Sequence, residues 1–506
     1  MSAYAQPVRP NSFALGVGVA GVAAATVVAA AIDFYPLGLV VVVMAVLTAV
    51  VSHRFLLRWE IQVALIVLTV LLIPLGRYEL PGALPFNLEP YRVLVGLVAL
   101  GWGASLLADP AFRWRRIGLF GPLLMFQLAI LASLALNTGR IEQYNILPEV
   151  IKNFSLMASF LLVLLLTASV VKTRDQLEVV VKTLVGGGGV VGLFALIQYR
   201  TGFNLFDHLG IIPVLDYVPG GLPGGLEARG GGDRVYASAQ HPIALSAALV
   251  MLLPLGIYVG RRYGTRLWWL TAAVIGVAAF STVARTGSTM LVAVLVVFIA
   301  LKPREMLSLW KWALPFLIAV HFLAPGALGG LKSAFFPEGG LLAEQQSAHS
   351  ATSSNRLADA GPALHEWWHR PYAGYGFGTR ITEPANPKNN ALILDDQWIG
   401  LLLEVGLAGA LAFLWLMLRT VRRLGRAARG DPTDHGWLLA GLAAGILSCG
   451  IGMITFDAFG FSQVTFLLFF MIGLSVPAIR LAQTPEPRQP RGVALAGTGR
   501  RPSASS

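Results

Sequence analysis

The sequence predicts an all-α fold, a polytopic transmembrane helical bundle of about 12–14 spans. Three observations lead there. Apolar residues make up 56% of the 506-residue chain and charged residues only 13%, about half the share that a soluble domain needs for its water-facing surface. Mean hydropathy is +0.68. Apolar stretches of roughly 16–22 residues recur along the whole length, which is what one helix needs to cross hydrocarbon. A string of soluble domains is excluded.

In chain order, spans are expected at 13–32, 36–52, 61–76, 90–108, 118–136, 150–171 and 183–199. They continue at 241–260, 267–284, 286–301, 311–326, 396–418, 437–455 and 462–480. The first resembles a signal peptide, with Ala29, Ala30 and Ala31 standing where cleavage would occur. Its leader carries only Arg9 and its apolar core is long, so it is read as a helix. Residues 1–199 form an N-terminal helical part, and 200–418 a core with two long loops at about 200–240 and 327–395. Residues 419–480 hold a basic loop and the last spans, and 481–506 a tail rich in Pro, Arg, Ser and Ala, read as disordered.

Orientation follows from the basic residues. Alternate loops carry Arg54 and Arg58; Arg113, Arg115 and Arg116; Lys172, Arg174 and Lys182; and Arg261, Arg262 and Arg266. The series goes on with Lys302, Arg304 and Lys311, then Arg419, Arg422, Arg423, Arg426 and Arg429. With the termini, roughly 25 of the 38 basic residues fall on that side, which the positive-inside rule makes cytoplasmic. Both termini are then cytoplasmic, and the two long loops are extracytoplasmic. The net charge of +12 reflects topology rather than nucleic-acid binding, and the lipid bilayer is the expected partner. A single cysteine, Cys449, excludes an intrachain disulfide framework and any multi-cysteine metal site.

Several outer-face arginines stand where topology does not ask for them. Arg229 and Arg234 follow the glycine-rich run Pro219–Gly225. Arg285 lies in the very short turn Ser281–Ser288 between two apolar spans, and Arg356 and Arg380 lie in the second long loop. One such arginine could be a snorkelling anchor, since burying it near the end of a span is costly. Arginines from three separate segments on one side favour an anion site, because the guanidinium fork suits phosphate or diphosphate without a metal. Asp395 and Asp396 stand at the outer mouth of the next span. One of them serves as a helix cap. The second, set against an apolar helix, is a candidate general base toward a hydroxyl nucleophile.

Other motifs read less well. His365, Glu366 and His369 match the H-E-x-x-H zinc pattern, but Arg370 and Pro371 end the helix at once, and no third ligand follows at short spacing. An amphipathic interfacial helix is the simpler reading. Gly186–Gly189 lacks the Lys-Ser/Thr of a phosphate loop and reads as close helix packing. No G-x-S-x-G supports a serine nucleophile.

Three blocks together resemble the O-antigen ligase and polymerase superfamily of polytopic glycosyltransferases. The first runs from Arg234 to His241 and Pro242, ahead of an apolar span containing Leu253, Pro254 and Leu255. Ala284, Arg285, Thr286 and Gly287 are similar to the family's Ser-Arg-Gly turn, with Ala in place of Ser. The third block starts at Asn355 and Arg356, passes Trp367, Pro371 and Gly374–Gly378, and reaches Asp395, Asp396 and Trp398 before closing at Glu404–Gly409. They cover about 229–410, in the family's order. The ligases typically carry His eleven positions before the glycine that is Gly406 here; this chain has Asp395 there, which leans toward a polymerase.

The resemblance implies a GT-C-like helical fold whose long extracytoplasmic loop contains short helices. It implies a metal-independent enzyme of the inner (plasma) membrane with no cofactor. The donor would be a glycan on polyprenyl (undecaprenyl) diphosphate, and the acceptor a sugar hydroxyl on a glycan or lipid. Arg234 and Arg285 would hold the diphosphate, with Arg229, Arg356, Arg380 and His241 as further substrate contacts. Asp395 or Asp396 would deprotonate the acceptor. A ligase passing finished glycan to a lipid or protein is the neighbouring alternative. A lipid-linked sugar transporter, which calls for mid-membrane charges and discontinuous helices, and a membrane zinc protease are the alternatives of other classes.

Overall fold

The computed structural model describes residues 56–81, 88–108, 117–212, 215–218, 234–336, 356–380 and 394–483. The spans expected at 13–32 and 36–52, Arg229 and the tail beyond 483 lie outside the described residues. Each of the other twelve expected spans coincides with helix. In order these are α1 (Trp59–Leu72), α2 (Pro90–Ala108), α3 (Phe120–Leu136) with the short α4 (Thr138–Tyr144), α5 (Leu147–Val170) and α6 (Arg174–Thr201). After the first long loop come α7 (Pro242–Tyr263), α8 (Arg266–Ser281), α9 (Arg285–Leu301), α10 (Pro303–Leu309) and α11 (Ala313–Leu323). Two short helices, α12 (Ala327–Phe335) and α13 (Arg356–Trp368), occupy the second long segment, ahead of α14 (Gln397–Arg429), α15 (Asp434–Gly452) and α16 (Ser462–Ala482).

Among the described residues eight helices are long and apolar enough to cross a membrane, counting α10 and α11 as one continuous helix over Pro303–Leu323, or nine if the bent pair α3–α4 is one span. Helices α1, α8 and α9 are shorter, the longest having 17 residues. At 1.5 Å per residue that is about 26 Å, a little less than the ~30 Å of hydrocarbon. The outward faces carry Leu97, Leu100, Leu128, Val292, Val296, Ile299, Leu314 and Phe322, all exposed. Such a surface suits lipid rather than water.

The centre is built from α7, α15 and α16, whose apolar windows are 83%, 89% and 89% buried. Helix α15 packs against α7, α9, α14 and α16, while α1, α6 and α8 close one flank and α3 and α5 the other. Close approach is set by small residues. A Cβ on Gly187, Gly188 or Gly189 of α6 would meet Leu71, Leu252 or Thr271 within 2.5–2.8 Å, so the glycine run is a packing surface, as its composition predicts.

The basic loops gather at one end. Arg419 donates to Gly118 O (2.9 Å), Arg423 to Ile117 O (3.2 Å) and Arg480 to Val171 O (2.8 Å). At the same end Lys302 reaches Asp431 O (2.6 Å) and Arg262 lies 3.7 Å from Glu178. The opposite end carries the α3–α4 break, the loop after α6, the α8–α9 turn and residues 453–461.

One element departs from expectation. The span expected at 396–418 runs on to Arg429 and is broken at Gly406, whose φ of 65° and ψ of −171° are not helical. The segment 371–376 docks into the break. Tyr375 N–H donates to Leu403 O (2.7 Å), Gly376 N–H to Glu404 O (3.1 Å), and Leu407 N–H to Pro371 O (2.8 Å). Ser133 Oγ on α3 also donates to Glu404 O (2.6 Å). Backbone groups orphaned by the interruption are thereby satisfied, the condition for irregular backbone within a bundle of this kind. A Cβ on Gly406 would lie 2.2 Å from Tyr372 O, so only glycine permits the docking.

Candidate functional site

At the end opposite the basic loops, the turn joining α15 to α16 acts as a hub. Residues 453–461 touch three of the segments singled out by sequence. Gln397 N–H donates to Met453 O (2.8 Å), and Phe459 N–H returns a bond to Gln397 Oε1 (2.6 Å), which fixes the start of α14. Thr286 on the first turn of α9 shares a hydrogen bond with Thr455 (2.9 Å). Ser462 N–H donates to Gln240 Oε1 (3.0 Å), and His241 stacks on Phe461 with ring centroids 5.6 Å apart.

The α14 start separates the two aspartates. Asp396 Oδ1 accepts from Trp398 N–H (2.8 Å) and Ile399 N–H (3.0 Å) and is the N-cap. Its carboxylate is committed to the helix, as the sequence predicts for one of the pair. Asp395, half-buried, does not cap the helix, and its charge acts on Asp457 in the hub turn. Burial first, and then repulsion from Asp395, push the Asp457 carboxyl up to about 6, against the opposing pull of the Gly460 and Phe459 N–H groups and of Arg380. Glu404, at the α14 break, lies within the field of both Asp457 and Arg380, and the Gly378 N–H faces it. The Arg380 guanidinium thus acts on two carboxylates, Asp457 and Glu404, and also pairs with Glu366 at 3.5 Å.

Arg285 is the first residue of α9, preceded by a turn in which Val283 has a φ of 49°. A positive side chain at a helix N-terminus, where free N–H groups converge, makes a local field that favours anions. Helix α9 is held tightly against α7, since a Cβ on Gly287 would overlap Ser246 Oγ at 1.8 Å.

Arg234 is buried at 7% exposure and begins a segment whose path is fixed by Arg77, in the loop after α1. The Arg77 guanidinium is fully buried; it pairs with Asp207 at 2.8 Å and donates to Ala237 O (3.0 Å) and Ala239 O. Gln198 Oε1 accepts from Tyr236 N–H (3.2 Å) and Ala237 N–H (2.8 Å), and Tyr236 OH donates to Asp207 (2.8 Å). The chain then turns through Ala237 at φ 44° and ends on His241, whose Nδ1 accepts from Ile243 N–H (3.2 Å) to cap α7. His241 is therefore a capping and stacking residue as well as a candidate contact.

Arg234, Arg285, Asp395 and His241 stand on segments that converge on one end, and Arg380 joins them through Asp457. Arg356 opens α13, its side chain outside the described residues, as Arg229 is entirely. Sequence reasoning missed Asp457, Glu404 as a site carboxylate, and Arg77. A signal existed for Asp457, a lone carboxylate in a turn between two apolar helices.

Among the described residues the H-E-x-x-H side chains have no third metal ligand beside them. Helix α13 ends at Trp368, His369 Nδ1 lies against His365 O at 3.0 Å, and Glu366 is engaged by Arg380. Among the described residues no group of three His, Cys, Asp or Glu side chains is placed to hold a metal ion. The arrangement offers buried cations, a cation at a helix N-terminus and a carboxylate raised toward neutrality, the parts needed to bind an anion and move a proton.

A comparison with protein-family models finds no match for this chain, and a comparison with curated proteins finds none either.

Proposed function

We propose that this multi-pass membrane protein is a glycosyltransferase of cell-surface polysaccharide assembly, with its site on the extracytoplasmic side. The carrying observation is the convergence of the Arg234–His241 segment, Arg285 and Asp395 around the turn that contributes Asp457. The superfamily resemblance supplies the reaction and its GT-C-like fold. The gathering of basic loops at the far end supports a cytoplasmic placement of that end and of both termini.

In the reaction, Arg285 and Arg234 bind the diphosphate of a polyprenyl-linked glycan. The acceptor sugar hydroxyl attacks the anomeric carbon while the bond from that carbon to the diphosphate oxygen breaks. Asp395 takes the hydroxyl proton, and the diphosphate leaves as an anion stabilised by the two guanidiniums. Asp457, whose carboxyl is pushed up to about 6, repels Asp395 when charged, which favours proton uptake by the pair. A polymerase is favoured over a ligase because Asp395 stands where the ligases carry histidine.

Transport remains the second reading on a specific observation. The α14 break and the 58° bend between α3 and α4 are the discontinuous helices that sequence had not foreseen. Against it, Asp395, Asp457 and Arg285 sit at one end rather than at mid-depth. A purified protein in nanodiscs, supplied with a fluorescent polyprenyl-diphosphate oligosaccharide, separates the readings. Glycosyl transfer with release of the diphosphate carrier, lost in Asp395→Asn and kept in Asp396→Asn, is the expected result. Movement of intact donor across the bilayer with no new glycosidic bond would mean a transporter.

A further inference from the structure

The region of Tyr375 carries cations that the diphosphate reading does not use. Arg140, on α4, places its Cζ 4.9 Å from the Tyr375 ring centroid and 5.4 Å from that of Tyr144. Arg370 places its own 5.3 Å from the Tyr375 ring, and one of its Nη groups donates to Asn137. Among the described residues no carboxylate lies within ion-pair distance of either. The Arg140 Nε and the Arg380 Nη2 are buried and have no hydrogen-bond partner. Arg380 has a share in Glu366, and its field reaches Tyr375 together with those of Arg370 and Arg140. Arg140 from α4 and Arg370 from the stretch after α13 therefore flank one aromatic ring, with Arg380 further along that same stretch.

Two large aromatic side chains of the same stretch face outward: Trp368 is 73% exposed and Tyr372 76%. Flat aromatic faces stack on the C–H faces of sugar rings, and guanidinium forks clasp carboxylates in two-point fashion. The scaffold is rigid. Asn137 donates to Gly374 O (3.2 Å), Asn153 to Gly378 O (3.1 Å), and the α14 break holds residues 371–376 from beneath.

We infer that Arg140 and Arg370, with Arg380 at the edge, form an oxyanion subsite for an acidic sugar, a uronate carboxylate in the glycan being handled. This deepens the glycosyltransferase reading and rests on it for the word glycan, but binding can be measured without transfer. No covalent step is involved.

The test is a titration of the full-length protein in nanodiscs of neutral phosphatidylcholine, read by tryptophan fluorescence and by the melting temperature. Trigalacturonate should bind saturably, and maltotriose at least ten-fold more weakly. Arg140→Gln should weaken trigalacturonate at least ten-fold without lowering the melting temperature of the unliganded protein, because among the described residues Arg140 makes ring contacts and no hydrogen bond. Arg285→Ala should bind it as wild type does. Equal binding of maltotriose, or unchanged binding by Arg140→Gln, overturns the subsite. So does inorganic phosphate competing as well as trigalacturonate, or a response that appears only when anionic lipid is added, since either would make the cations a general phosphate or headgroup site. Failure of transfer chemistry with intact trigalacturonate binding would overturn the enzyme reading and leave the subsite standing.

Discussion

Replacing Gly406 by alanine strikes the joint on which the site's geometry depends. The residue has a φ of 65° and ψ of −171°, a region that costs a side-chain-bearing residue about 1–3 kcal/mol. The added Cβ would lie 2.2 Å from Tyr372 O, 2.3 Å from its carbonyl carbon and 2.6 Å from Ala373 N. All three are backbone atoms, so no rotamer relieves the overlap. The chain has two ways out. It can keep the docking and bear the strain, or release residues 371–376 and lose the bonds to Leu403 O, Glu404 O and from Leu407 N–H, worth roughly 1 kcal/mol each. The strain raises the docked form by up to about 3 kcal/mol relative to the released one, a shift of roughly two orders of magnitude in the docked-to-released ratio. Gly400→Ala is the control on the same helix, because its Cβ would meet only Gln397 Nε2 at an ordinary 3.7 Å. Hydrogen exchange of the Tyr375 and Gly376 amides in the purified protein reads the docking directly. About a 100-fold loss of protection in Gly406→Ala, with none in Gly400→Ala, is expected. Equal protection in the two variants refutes the reasoning.

Further outcomes follow from the same contacts. Arg77→Ala removes the cation that pairs with Asp207 and the donor to Ala239 O, and removing one partner of such a buried pair costs about 3–5 kcal/mol; expression in the membrane and the melting temperature should both fall sharply. Asp396→Ala removes a cap worth about 1 kcal/mol and lowers the melting temperature by a few degrees, while Asp396→Asn, which can still cap, leaves it near wild type. The Asp457 carboxyl is held up, to about 6, so its proton binds more tightly in the folded protein than in the unfolded chain. Its contribution to stability is present below about pH 4 and declines as pH rises toward 6. Asp457→Asn should therefore raise the melting temperature at pH 7.5 more than at pH 5, and an equal change at both would contradict the assignment.

The fold was legible where hydropathy carries it. Twelve apolar runs among the described residues are helical, and the turn around Arg285 is as short as the sequence implies, three residues between α8 and α9. The cap role of one aspartate was also legible, because an acidic residue ahead of an apolar helix has few other uses. Which aspartate caps was not, since both Asp395 and Asp396 stand ahead of the first turn and only the path of the chain decides. The break at Gly406 was hidden for a different reason. Glycine is ordinary in membrane helices, and the conformation of this one depends on Tyr372 and Tyr375, some thirty residues upstream. Arg77 escaped attention because a loop arginine between spans looks like any other, and its partners Asp207, Ala237 and Ala239 are more than a hundred residues away in sequence. Asp457 suffered similarly: its neighbours Asp395 and Arg380 come from other loops, and no spacing rule connects them.

The central claim is tested most directly by the size distribution of surface and lipid-linked glycan in a strain lacking the protein, complemented with wild type or with Arg285→Ala. Restoration of a long ladder by wild type, with only single repeat units in Arg285→Ala and transfer lowered about 100-fold or more, is the predicted result. A full ladder from Arg285→Ala would contradict the account.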